Sequence, residues 1–210
     1  MKVCAVNFSY SNDSMGLRGL KLLNECKPFD CIIDVTDYDI PVCDSNKADG
    51  VVLPQVEKMF NDMCNYDSYV FSIAEYSGAY CVGFKNIMDW FVVKTFYNST
   101  LGQGYPFTNK PIAVVTFTPT TNNGDRHFGM TEKLLKKLGG TVVTSVAFQN
   151  GWHTVVPNNS KYFEQTNLEI LDKLNNTKID HVELHPKAQR DAMKWITKYD
   201  DWNEQWQMLD

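Results

Sequence analysis

Three stretches of the chain carry side chains whose types and spacing suit chemistry. The first is Asn7-Phe8-Ser9-Tyr10-Ser11-Asn12-Asp13-Ser14-Met15-Gly16, which sets Ser9, Ser11 and Ser14 just ahead of a helical pattern. Unpaired amides and the positive dipole end at a helix N-terminus attract anions, and serine hydroxyls add neutral donors. The same serines also suit an ordinary capped turn. Neither G-x-x-x-x-G-K-[ST] nor G-x-G-x-x-G is present, which argues against a Walker loop and a Rossmann dinucleotide site. The second stretch is Ile73-Ala74-Glu75-Tyr76-Ser77-Gly78-Ala79, followed by Lys85-Asn86-x-x-Asp89-Trp90. The third is Thr118-Pro119-Thr120-Thr121-Asn122-Asn123-Gly124. Glu75 has the chemistry of a general base, although a structural role is the plainer expectation. His181, Glu183 and His185 alternate and would share one face of a strand, a set able to hold zinc. The motif is not H-E-x-x-H and Pro186 follows at once, so an exposed linker is the simpler reading.

The elements around these stretches alternate. Lys2–Val6, Cys31–Val35, Tyr69–Ile73, Pro111–Phe117 and Thr141–Val146 are short apolar, β-branched runs of the kind that form strands covered on both faces. Between them, apolar residues at helical spacing predict helices from about Ser14 to Cys26, Leu53 to Cys64, Gly83 to Phe96 and Asp125 to Leu138. A fifth is expected over Lys161 to Leu174. Ser14 suits an N-cap, Pro54 a first turn, and Gly139-Gly140 a helix stop. Five strands alternating with five helices make a doubly wound parallel sheet. Ligands of such sheets sit at the carboxyl ends of the strands, beside the topological switch point, where all three stretches fall.

The second stretch, AEYSGAYCVGFKNIMDW from Ala74 to Trp90, resembles the P-E-Y-N-G/H-S loop and K-N-x-x-D-W helix of the NADPH-dependent FMN reductase family. Other landmarks follow in order. Phe8 to Gly16 is similar to the family's G-S-x-R-x-x-S-x-N phosphate loop. Asp37-Tyr38-Asp39-Ile40-Pro41 resembles its aspartate-rich stretch, and Asn109-Lys110-Pro111 its G-K-P. The resemblance covers roughly Met1 to Leu174. It implies a flavodoxin-like three-layer αβα sandwich with strand order 2-1-3-4-5. Ser9, Ser11, Ser14, Met15 and Gly16 would then surround an FMN phosphate. Ala74, Glu75, Tyr76, Ser77 and Gly78 would lie along the isoalloxazine edge, with Thr118 and Gly124 closing the other side. The implied activity is electron transfer from NADPH or NADH, through FMN, to a small-molecule acceptor such as a flavin, quinone, azo compound or metal oxyanion. Hydride transfer is the cofactor's chemistry, so no catalytic side chain is expected. The chain departs from the pattern where the loop arginine falls on Ser11, its asparagine on Gly16, and the proline before Glu75 on Ala74.

The net charge of -5 speaks against a nucleic-acid partner and anionic membranes. The apolar run Val3–Val6 is too short for a signal peptide or a membrane span, so a cytoplasmic location is expected. Cys4 inside a strand reads as a small buried hydrophobe. Residues 1–178 are expected to form the FMN-binding domain, with 179–210 a C-terminal extension. In that extension Ala192, Trp195, Ile196, Tyr199, Trp202, Trp206 and Leu209 mark one face of an extra C-terminal helix over about Lys187 to Met208. Such a face would pack on its own domain or join subunits into a homodimer or homotetramer. Two other functions share the fold. A flavodoxin-type electron carrier would show T-x-T-G-x-T and a strongly acidic surface, neither of which is present. A flavin-free interaction protein would keep the fold after decay of the phosphate loop.

Overall fold

The computed structural model describes residues 1–44, 52–97 and 104–179. The predicted helix over 187–208, the extension from 180 onward and the His181-Glu183-His185 set lie outside these residues.

β1 (Val3–Asn7) is buried along its whole length and leads into α1 (Met15–Cys26). Cys4, Val6 and Phe8 face one side of the sheet while Val3 and Ala5 face the other, as the two-residue strand period requires. β2 (Cys31–Asp34) ends in a short 3-10 turn over Val35–Tyr38. α2 (Pro54–Cys64) starts on its proline and buries Val56, Met59, Phe60 and Met63, one helical stripe. β3 (Ser68–Ser72) is fully buried. Two short antiparallel strands follow, β4 (Glu75–Tyr76) and β5 (Ala79–Tyr80), and then α3 (Val82–Tyr97). β6 (Pro111–Phe117) leads to α4 (Phe128–Lys137), and β7 (Thr141–Phe148) to the single turn α5 (Gly151–Thr154) and to α6 (Glu164–Asn176).

The five long strands pair in parallel in the order β2-β1-β3-β6-β7. With the small β4–β5 hairpin set aside, that is the expected 2-1-3-4-5. α2, α3 and α4 cover one face, where Met59, Phe84, Trp90, Phe91 and Leu135 meet Phe71 and Val114 in one core cluster. α1 and α6 cover the other face, with Leu20, Leu23, Ile170 and Leu174 on Ala5, Val70 and Val115. The result is a flavodoxin-like three-layer sandwich. The chain leaves β1 toward β2 on one side and returns to β3 on the other, so the switch point lies between β1 and β3.

Helix ends follow local chemistry. Ser14 caps α1, its hydroxyl accepting from the Leu17 amide at 3.2 Å. α4 ends with Gly140 N–H on Leu135 O at 2.9 Å and Gly139 N–H on Lys136 O at 3.0 Å. This is a Schellman closure, and it needs the left-handed backbone of Gly139 (φ 81°). α4 begins three residues later than the sequence pattern suggests, because Asp125–His127 form a turn held by other loops. Among the described residues no helix is long and apolar enough to cross a membrane.

Candidate functional site

At the switch point, the loop after β1 is built on Asn7. Its buried amide donates to Asp34 Oδ1 (3.2 Å) and Ser9 O (3.4 Å), while its Oδ1 accepts from the Ser14 hydroxyl (3.2 Å). Ser9 Oγ accepts from the Ser11 amide at 3.3 Å. Ser9 and Ser14 are buried, Ser11 is exposed, and Met15 and Gly16 are half-buried. A Cβ on Gly16 would stand 2.6 Å from Ser72 Oγ and 2.9 Å from Asn7 Oδ1. This position therefore has no room for the asparagine of the family pattern.

The second stretch folds as a hairpin that the strand count did not include. Glu75 pairs with Tyr80 and Tyr76 with Ala79, leaving Ser77 (φ 52°) and Gly78 (φ 80°) as a two-residue turn. Positive φ at both central residues matches the twist of paired strands. The signal was present: a Ser-Gly pair between Glu-Tyr and Ala-Tyr.

Glu75 reaches away from its hairpin to the loop after β6. One oxygen, Oε2, accepts from the amides of Gly124 (2.9 Å) and Arg126 (3.1 Å). The carboxylate thus ties the two loops together. Gly124 holds φ 110° there, a conformation closed to most side chains. Between hairpin and loop lies a cavity of about 340 Å³ lined by Glu75, Tyr76, Ser77, Gly78, Thr118, Pro119, Thr120, Asn123 and Arg126. Five of the twelve expected site residues line it: Glu75, Tyr76, Ser77, Gly78 and Thr118. Ala74 and Gly124 shape it through backbone bonds, the Ala74 carbonyl accepting from Cys81 N at 2.9 Å. Ser9, Ser11, Ser14, Met15 and Gly16 belong to the neighbouring β1 loop.

The two parts are joined at Gly151, which sequence reasoning missed despite its Asn-Gly turn signal after a strand. Its amide donates to Thr118 O at 2.9 Å, and a Cβ there would lie 2.2 Å from Met15 Sδ. Met15 and Thr118 therefore flank the same glycine. On the other side, Cys81 Sγ donates to Phe8 O at 3.4 Å, which ties the end of the hairpin to the β1 loop.

The K-N-x-x-D-W segment acts as a clamp. Asn86 and Trp90 lie one turn apart on α3 and both donate to Pro41 O, at 2.9 and 2.8 Å. Asn86 also donates to Tyr10 Oη at 2.7 Å and accepts from Cys43 N at 2.6 Å, so one amide fixes the loops after β1 and β2. Burial pushes the Tyr10 phenol up, and the bond from Asn86 works against that. Lys85 and Asp89 form an exposed ion pair at 2.5 Å, a surface pair of small consequence.

Behind the cavity His127 is fully buried. Thr116 gives its hydroxyl proton to Ile73 O (2.8 Å), so His127 Nε2 carries the hydrogen in its 2.7 Å bond to Thr116 Oγ1. In the neutral ring, Nδ1 then accepts from Thr131 Oγ1 at 2.9 Å. Burial lowers the His127 pKa, against the pull of the Glu75 and Asp125 carboxylates.

The cavity is at the small end of the ~300–1,000 Å³ typical of ligand sites. Fold and site together define a flavodoxin-like protein with a cavity between the loops after β3 and β6, at the carboxyl edge of its sheet. Over residues 1–153 the sequence matches the pattern of the NADPH-dependent FMN reductase family, and the chain belongs to that family. No curated protein sequence matches it.

Among solved structures it is similar to FerB, a flavoenzyme NAD(P)H:(acceptor) oxidoreductase from Paracoccus denitrificans. The identity is 16% and the TM-score 0.62, over 83% of this chain and 97% of that one. It is also similar to the NADH:FMN oxidoreductase EMOB in its apo form (14%, 0.60, 89% and 98%). An azoreductase from Bacillus anthracis str. Sterne matches at 14% and 0.51, over 83% and 99%. At these identities the likeness is one of fold.

Proposed function

We propose that the protein is an FMN-dependent NAD(P)H oxidoreductase, passing electrons from a nicotinamide nucleotide through bound FMN to a small-molecule acceptor. The observation that carries this reading is the slot between the Glu75–Tyr80 hairpin and the Thr118–Arg126 loop, in a chain of this family. Ala74 to Gly78 would border the ring on one side and Thr118 to Gly124 on the other. Ser9, Ser11, Ser14, Met15 and Gly16 would lie around the phosphate.

FMN, when bound, supplies the hydride and electron chemistry. The chain's own residues position and shelter it. Glu75 fixes the separation of the two loops, Gly78 and Gly124 supply the positive-φ backbone their turns need, and Asn86 and Trp90 hold the neighbouring loops on α3. Tyr76, 58% exposed, leaves an aromatic face at the mouth where a nicotinamide could stack. No side chain is assigned an acid–base role. Residues 1–178 would form the flavin-binding domain and 179–210 an appended segment.

The test is a spectrum of the purified protein with FMN, followed by NADPH or NADH without oxygen. Perturbed flavin absorbance that bleaches on addition is the expected result. Perturbation without bleaching points to an electron carrier, and FMN left unperturbed at high protein concentration defeats the assignment.

A further inference from the structure

We infer that Arg126 is the anion-binding residue of this cavity and holds a phosphate group of the nicotinamide nucleotide at its mouth. The inference rests on the oxidoreductase reading above and deepens it, because it names the group that grips the electron donor. Arg126 lines the cavity and is held there by contacts from both of its walls. Its backbone amide donates to Glu75 Oε2 at 3.1 Å. Its side-chain stem runs beside the hairpin turn, with Cδ 3.8 Å from the point where a Cβ on Gly78 would stand. Its Nη2 donates to Asn123 Oδ1, on the loop after β6. The guanidinium is therefore a placed group at the edge of the cavity.

Its charge is not spent on a protein partner. Asn123 is neutral, and the ion pairs among the described residues engage Arg18, Lys58, Lys85 and Lys94 rather than Arg126. Two carboxylates are close in the chain or the cavity. Glu75 turns Oε2 to the amides of Gly124 and Arg126, and Asp125 is exposed. Across residues 73–81 and 118–127, the two loops that form the cavity, Arg126 is the one cationic side chain, since buried His127 is held neutral. The chain as a whole carries a net charge of -5 and repels a polyanionic nucleotide. A guanidinium with N–H groups to spare matches the oxygens of a phosphate in charge and in geometry. Tyr76 lines the same cavity and offers the donor's ring an aromatic face, so ring and phosphate each meet a suitable side chain. The FMN phosphate is assigned to a different element, the β1 loop.

The experiment is a calorimetric titration of the FMN-loaded full chain with the hydride-inert tetrahydro forms of NADPH and NADH. It compares wild type with Arg126→Gln and Arg126→Lys. The Arg126 side chain is exposed and its bond to Glu75 uses the backbone amide, so both variants keep the clasp between the loops. In Arg126→Gln at least one analogue should bind about fivefold or more weakly than in wild type. Arg126→Lys should recover part of that loss, because the charge stays and the fork goes. A loss confined to the NADPH analogue assigns Arg126 to the ribose 2′-phosphate, and an equal loss in both assigns it to the diphosphate. Losses below about fivefold for both analogues overturn the inference. So does a parallel weakening of FMN itself, read by flavin fluorescence, which would make Arg126 a flavin contact. Wild-type protein that takes up no FMN, or takes it up and binds neither analogue, overturns the oxidoreductase reading as well. Wild type that binds both, with variants that match it, leaves that reading standing and removes only the role of Arg126.

Discussion

Glu75 shows how much one side chain decides here. A single carboxylate oxygen takes the amides of Gly124 and Arg126, and no other described side chain spans from the hairpin to that loop with such bonds. Removing it leaves two amides to water and lets the slot widen. Bonds to a charged acceptor contribute about 1.5–3 kcal/mol when buried and less at a half-exposed edge. Glu75→Ala should therefore weaken FMN binding by roughly tenfold while the melting temperature changes little. Glu75→Gln keeps an oxygen in place for both amides and should recover part of the affinity. Equal FMN affinities in wild type and the alanine variant, measured by flavin fluorescence, would show that the loops hold their spacing without the clasp.

At the scale of elements, the site depends on how closely α3 approaches the β1 loop. A Cβ on Gly83 would lie 2.0 Å from the Phe8 carbonyl oxygen, a backbone atom that cannot swing aside. Gly83→Ala should cost about 1–3 kcal/mol by overpacking. That corresponds to a fall of several degrees in melting temperature at this size, roughly 2–4 °C per kcal/mol. FMN affinity should drop as well, because Phe8 opens the loop carrying Ser9 and Ser11. An alanine variant that melts with wild type would mean that α3 can shift along its axis without loss. The K-N-x-x-D-W spacing has a related meaning. Asn86 and Trp90 meet Pro41 O together only because residues four apart share a helix face.

For the whole molecule, His127 couples the core to pH. Its ring is held neutral between Thr116 and Thr131, and burial lowers its folded-state pKa below the unfolded value of about 6.5. The unfolded chain therefore binds the proton more readily. Stability rises with pH through this window, is complete above about pH 6.5, and is lost as pH falls toward the folded-state pKa. Denaturant unfolding at pH 7.5 and 5.5 should show a loss in wild type that shrinks in His127→Gln. An identical loss in both proteins would assign the pH dependence to carboxylates instead. Because Thr116 also bonds Ile73 O, just ahead of the hairpin, acid is expected to loosen the site together with the core.

Local chemistry written in the sequence determined the strands, the caps at Ser14, Pro54 and Gly139, and the placing of three loops along one sheet edge. Apolar periods and backbone preferences act over a few residues, so they can be read without knowing the partners. The Ser-Gly turn of the hairpin and the Asn-Gly turn at Gly151 were legible on the same terms. Tertiary structure alone decided that Glu75 would clasp amides about fifty residues away. It also decided that Gly16 would be walled in by Ser72 and Asn7. Those outcomes depend on which atoms converge when strands distant in the chain lie side by side, and no residue type carries that information by itself.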